Sequence, residues 1–176
     1  MSSESNPEQP FRVVLVSTGG TIEKTYDEMH GVMTNEVSVL QVMLSQMELG
    51  DVKIERVSLM NKDSLEMTEE DHQLIATTVL HRANDSDGII IVHGTDRLAT
   101  TGEAIYAQNP APPVPILLTG AMRPYVMRTT DALQNLTGAM MAVQLAKPGV
   151  YCSMHNKLLQ FPGVVKDLRS GTFVKE

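Results

Sequence analysis

Aromatic residues are only 4% of this 176-residue chain, tryptophan is missing, and cysteine occurs once, at Cys152. One cysteine cannot close an internal disulfide, and the five histidines show no metal-ligand spacing to it, so neither a disulfide scaffold nor a structural zinc site is expected. Basic residues are scarce: 14 Lys plus Arg against 21 Asp plus Glu leave a formal charge of −7, which argues against nucleic acid as a partner. No run approaches the roughly 18 apolar residues of a membrane span. The start, MSSESNPEQP, has neither the basic nor the apolar part of a secretion signal. The expectation is a soluble, cytoplasmic protein with no membrane partner.

What the chain does have is 42% apolar residues, enough for one core. Residues 1–10 are polar, hold two prolines and read as a flexible lead-in, leaving 11–176 as a single domain. Arg12 to Ser17 is an apolar run ending in Thr18-Gly19-Gly20-Thr21, the pattern of a buried strand that stops at a tight turn. A polar loop carrying Tyr26 follows. Val37, Leu40, Leu44 and Met47 then recur at helical spacing before Gly50. Val52 to Met60 predicts a second strand, at a sheet edge because Lys53, Glu55 and Arg56 interrupt it. Thr68 to Asp71 has the form of a capping box for a helix through Leu80. Ile89 to Val92 is the best central strand, running into His93-Gly94-Thr95-Asp96 and a short helix. Ile116 to Leu118 leads into Thr119-Gly120-Ala121, Asp131 is the expected N-cap of a fourth helix, and Gly149 to Met154 forms strand five.

Strands alternating with helices predict an α/β fold: one three-layer α/β/α domain with an open, mostly parallel, flavodoxin- or Rossmann-like sheet. In the order 2-1-3-4-5 the crevice lies at the carboxyl ends of strands 1 and 3, which brings Thr21 and Thr95 toward one pocket.

Gly19-Gly20 permits a sharp turn and offers Thr21 as a hydroxyl nucleophile, while a plain structural turn would use the same residues. Thr95 and Asp96 suit amine binding or orienting water; they equally suit a helix cap. Taken together, TGGTI at 18–22, HGTD at 93–96 and LTGAMRP at 118–124 resemble the bacterial-type L-asparaginase family, in its order and spacing. Asp63-Ser64 is similar to the family's substrate-binding turn, and Lys166 to its active-site lysine.

The resemblance implies hydrolysis of L-asparagine to aspartate and ammonia, with room for minor glutaminase activity and no metal or organic cofactor. It implies Thr21 as nucleophile, a Thr95-Lys166-Asp96 relay, and Tyr26 as a lid residue. Substrate contacts are implied for Gly20, Asp63, Ser64, Gly94, Thr95, Asp96 and Ala121. General chemistry agrees, because a threonine hydroxyl needs a base to attack, and a lysine serves as base only if its surroundings lower its pKa. Read without the resemblance, Lys166 would be a solvated lysine of a charged tail and Tyr26 an ordinary loop aromatic.

The chain departs from the family pattern in three places. Typical members carry a second α/β domain that completes a neighbouring subunit's site, so this chain is expected to be a compact form that closes its crevice by forming a homodimer or larger homo-oligomer. Arg97 stands where a threonine is usual, either to bind a substrate carboxylate or to face solvent. Glu23 stands where a small residue is usual, and with Asp63 or Glu66 is a candidate to replace the missing ammonium-binding carboxylate. Two other readings stay open: a noncatalytic module binding an amino acid or dicarboxylate, and an ammonia-releasing component of an amidotransferase.

Overall fold

The computed structural model describes residues 9–34 and 38–176. Most of the lead-in, 1–8, and Val37 of the first helical pattern lie outside the described residues; Gln9 and Pro10 are exposed and belong to no element.

Strand β1 (Phe11–Gly19) is followed by a hairpin of β2 (Thr25–Asp27) and β3 (Val32–Thr34), helix α1 (Leu40–Ser45), strand β4 (Val52–Lys62), helix α2 (Glu69–Arg82) and strand β5 (Gly88–Val92). Helix α3 (Leu98–Gln108), strand β6 (Pro115–Thr119), helix α4 (Ala132–Leu145), and strands β7 (Gly149–Met154), β8 (Lys157–Gln160), β9 (Val164–Asp167) and β10 (Thr172–Lys175) complete the chain. The main sheet runs β4-β1-β5-β6-β7-β8, parallel except for β8. Its first five strands reproduce the expected 2-1-3-4-5 order, with the second predicted strand at the edge.

Successive residues of β1 serve opposite faces. Val14 and Val16 join Ile89, Ile91, Ile116 and Leu118 under α2 and α3, whereas Val13 and Leu15 join Ile90, Val92 and Leu117 under α1 and α4. Strands buried on both sides must read as unbroken apolar runs, as Ile89 to Val92 does. Cys152 lies buried in the first of these cores, where burial pushes its thiol up to about 12 and leaves it inert.

The helices differ from expectation in two details. Helix α1 stops at Ser45, because Gln46 and Met47 donate back to Met43 and Leu44 in tighter turns. Asp131 occupies the N-cap position of α4, but its side chain makes no capping bond and turns instead to the loop after β6. The capping box at Thr68 and Asp71 is present as read.

The segment expected to be a polar loop is the β2–β3 hairpin, and everything after Met154 folds into three strands that the apolar pattern did not announce. The β9–β10 hairpin forms its own two-stranded sheet. Phe161, Val164 and Phe173 anchor this segment in the core, Phe161 lying so close over α3 that a Cβ on Gly102 would collide with its ring. Glu103 of α3 adds a hydrogen bond from the Gly163 N–H at 2.6 Å.

Helix α4 has no charged residue in its 14 positions and exposes Met141 and Leu145. A groove of about 760 Å³ runs between it and β8, and another of about 530 Å³ between it and the segment 46–50.

Candidate active site

Four chain turns converge at the carboxyl ends of the parallel strands. Gly20, at φ 86°, packs so tightly on Gly94 that an added Cβ would lie 2.5 Å from the Gly94 Cα. A Cβ on Gly94 would meet Ser64 Oγ at 2.5 Å, and one on Gly120 would collide with the His93 carbonyl oxygen. Only glycine allows backbones this close, and that closeness is why the TGG, HGT and TGA turns need it. Hydrogen bonds fix the arrangement: Gly20 N–H to Lys62 O, His93 N–H to Thr119 O, and Tyr125 N–H to Ile22 O. Thr21, half-buried, therefore stands between two residues that are each tied to a neighbouring loop.

The hairpin β9–β10 delivers Lys166 to this convergence from 70 residues away. Its Nζ donates to Thr95 Oγ1 at 2.9 Å and to Asp96 Oδ1 at 2.6 Å. The geometry follows from register: Lys166 pairs with Phe173, whose ring is buried, and Val164 points into the core two residues earlier. The lysine side chain is 18% exposed and Asp96 42%, so the ammonium is the more shielded partner.

The predicted substrate turn is also at this end. Ser64 is buried, and its Oγ has no hydrogen-bond partner among the described residues. Asp63 caps the short 3₁₀ turn by accepting the Leu65 N–H and pairs with Lys24 at 2.7 Å; the Lys24 hydrogen bond holds its carboxyl below the ordinary range. Ala121 is fully buried beside Gly120. Tyr26, on β2, is 64% exposed and makes no side-chain hydrogen bond among the described residues.

Two of the departures resolve into structural roles. Arg97 is exposed, as the solvent-facing reading has it, and its guanidinium also donates to the Met67 carbonyl at 3.2 Å, tying the HGTD turn to the turn at Ser64. Glu23 is buried and accepts from Ser38 Oγ at 2.8 Å, and Ser38 also receives Arg56. Burial pushes the Glu23 carboxyl up, with Ser38 and Arg56 working against that. Glu23 and Asp63 are thus each engaged by groups of this chain, while Glu66 is exposed beside the Ser64 turn.

Sequence reading missed the group that holds the loop after β6. Buried Asp131 accepts from Met122 N–H and Arg123 N–H, both at 3.0 Å, from Asn135 Nδ2 at 2.9 Å and from His155 Nε2 at 2.8 Å. Asn135 Nδ2 also donates to the Gly120 carbonyl, and His155 Nδ1 meets Thr172 Oγ1 of β10. One carboxylate thus links the TGAMRP loop, α4 and the hairpin carrying Lys166. Only its place beside the motif hinted at this role. Lys24 was likewise legible only as a charge after TGGTI.

A doubly wound α/β sheet with threonine, lysine and aspartate gathered at its carboxyl ends defines the class. The chain belongs to the asparaginase family: the family model "Asparaginase, N-terminal" matches residues 12–170. It is 34% identical over 150 residues to an L-asparaginase of Thermococcus kodakarensis, covering 85% of this chain and 45% of that protein. It is also 34% identical over 143 residues to one of the subunits of the glutamyl-tRNA(Gln) amidotransferase of Methanosphaera stadtmanae, covering 80% of this chain and 32% of that one. Among solved structures, the thermostable L-asparaginase from Thermococcus kodakarensis superposes with a TM-score of 0.83 at 32% identity over 94% of this chain and 51% of its own. L-asparaginase I from Vibrio cholerae shares the fold, with a TM-score of 0.79 at 23% identity over 94% of this chain and 51% of its own. The chain spans about half the length of these structural relatives, and less of the amidotransferase protein.

Proposed function

We propose that this chain is an amidohydrolase domain that hydrolyses L-asparagine to L-aspartate and ammonia, with minor glutaminase activity and no metal or organic cofactor. The observation that carries this reading is Lys166 Nζ bonded at once to Thr95 Oγ1 and Asp96 Oδ1. In this reading Thr21 Oγ1 attacks the side-chain amide carbon while the Thr95-Lys166-Asp96 relay moves its proton to the leaving nitrogen. Ammonia departs, water enters along the same relay, and the acyl-threonine is hydrolysed to the free carboxylate. Ser64, whose buried hydroxyl has no partner among the described residues, receives the substrate α-carboxylate and Asp96 the α-ammonium. Gly20, Gly94 and Ala121 line the amide, the Asp63–Lys24 pair holds the floor, and exposed Tyr26 closes as a lid. Residues 11–176 act as one domain in the cytoplasm, as a homodimer or larger homo-oligomer, a state favoured by the charge-free outer face of α4. Among the described residues no helix is long and apolar enough to cross a membrane.

The test is ammonia release from L-asparagine and L-glutamine up to roughly tens of millimolar, the range in which a weak KM would still show, beside Thr21→Ala. Saturable release lost in the variant supports the reading. Release by the variant at the parental rate overturns Thr21 as nucleophile.

The match to the amidotransferase protein supports a second reading, in which the ammonia passes to a partner enzyme. Co-purification of a tRNA-modifying partner, with release faster in its presence, would select it.

A further inference from the structure

Behind the HGTD turn lies a buried set of groups that the proposed reaction does not use. His72 of α2 and His93 at the end of β5 lie with ring centroids 6.4 Å apart and planes 15° from parallel. Both are essentially inaccessible, as is Thr101 of α3 between them. His72 Nδ1 is 2.7 Å from Thr101 Oγ1, Thr101 Oγ1 is 2.7 Å from His93 Nε2, and His93 Nδ1 is 2.7 Å from the Gly94 carbonyl oxygen.

Donor arithmetic gives this chain one direction. A carbonyl only accepts, so His93 carries its proton on Nδ1. Burial lowers His93 to about 4, so the ring is neutral and its Nε2 is a bare acceptor. The Thr101 hydroxyl must then donate its single proton to Nε2 and accept from His72 Nδ1–H. Burial also lowers His72, leaving its Nε2 as a bare atom with no partner among the described residues. Every proton in the chain therefore points toward Gly94 O.

Gly94 O belongs to the Gly94–Thr95 peptide, which is trans, so its direction sets the Thr95 N–H to the opposite side, away from the histidines. We propose that the His72–Thr101–His93 chain is a positioning device that fixes the Gly94–Thr95 peptide plane, and with it the Thr95 N–H as the oxyanion donor of the hydrolysis. This rests on the amidohydrolase reading for its kinetic consequence, but its structural core stands apart. Such a donor acts in the transition state, when the acyl oxygen becomes charged, and contributes little to ground-state binding.

The test pairs Thr101→Val, which keeps the shape and removes the hydroxyl, with Thr101→Ser, which restores it. The Val variant should lose about tenfold or more in kcat at nearly unchanged KM, within the range for a weakened oxyanion donor, and the Ser variant should recover most of it. A Val variant with parental kcat, or one changed in KM alone, overturns the proposal. Nuclear magnetic resonance supplies the readout that needs no turnover. Both rings should be Nδ1–H tautomers in the parent, and the Thr95 amide should shift and exchange faster in Thr101→Val alone. An Nε2–H tautomer at His93, or an unmoved Thr95 amide in the Val variant, overturns the positioning role whether or not the protein hydrolyses asparagine. Absence of ammonia release by the parent, with the Thr95 amide responding as expected, instead overturns the amidohydrolase reading and leaves the positioning of the peptide standing.

Discussion

Lys24 Nζ lies 2.7 Å from Asp63 Oδ2, joining the turn that carries Thr21 to the turn that carries Ser64. Both side chains are about a third exposed, 27% and 32%, so the pair is worth no more than about 1 kcal/mol of stability after solvent screening. Its expected effect is on placement. Asp63→Asn and Lys24→Met should each raise KM for asparagine severalfold with kcat nearly kept, and the pair should be non-additive in a double-mutant cycle. Additive effects would mean that the ion pair does not couple the turns.

Lys166 separates two roles that electrostatics alone would merge. Lys166→Arg keeps the positive charge beside Asp96 but cannot give up a proton at neutral pH, whereas Lys166→Met removes both. Steady-state assays should find both variants down by about a hundredfold or more in kcat, the scale of lost general-base catalysis. An arginine variant with a tenth or more of parental activity would make Lys166 a charge rather than a base.

How much of this was readable beforehand follows from the range of the contacts. Ile89 to Val92 and Ile116 to Leu118 announce themselves because a strand buried on both faces must be apolar throughout. Right-handed crossovers then say which face each helix covers, whereas the order of the first five strands is an assumption of the sequence reading that the sheet itself matches. Lys157 to Gln160 carries only two apolar residues, and β9 and β10 owe their position to Phe161, Val164 and Phe173 meeting partners far back in the chain. For Lys166, pattern alone indicates a solvated tail residue, and only the resemblance directs attention to it. Asp131 misleads in the opposite sense: it occupies a helix N-cap, yet the backbone N–H groups of Met122 and Arg123 compete successfully for its oxygens.

Asp131 is therefore expected to be among the most sensitive positions. Burial works to raise its carboxyl, but hydrogen bonds from Met122 N–H, His155 and Arg123 N–H more than offset this and hold it below the ordinary range. Asp131→Ala should destabilise by about 3 kcal/mol, the scale for breaking a buried charge-assisted network. Chemical denaturation measures that, and a loss under about 0.5 kcal/mol, the level of ordinary surface substitutions, would contradict the network.

Glu23 gives stability a pH dependence of known sign. Its folded pKa is raised above the ordinary 4.5, so the folded state binds the proton more tightly than the unfolded state. The corresponding stability is present below 4.5 and is lost as pH rises through the folded value. Glu23→Gln removes that loss while keeping an acceptor for Ser38. Urea titrations from about pH 4 to 8, a span around the ordinary carboxylate range, should show the variant gaining on the parent as pH increases.

His93 acts at the other end. Its folded pKa of about 4 lies below the ordinary 6.5, so the stability of the neutral buried ring is complete above 6.5 and declines as pH falls toward 4. The full decline amounts to roughly 3 kcal/mol by linkage, and His72 adds to it in the same direction. A His93→Gln variant should unfold with a flatter acid limb. An unchanged limb would mean that the buried ring is not what acid attacks.

The lysine on which the proposed chemistry turns rides on a two-stranded sheet separate from the main one, fastened by a few side chains and the Gly163–Glu103 bond. Small units of this kind open at lower free energy than the sheet beneath them. Heating should accordingly disarm the protein before melting it: amide exchange in 164–175 would outpace that in β1 and β5, and cooling would restore function without any refolding of the domain.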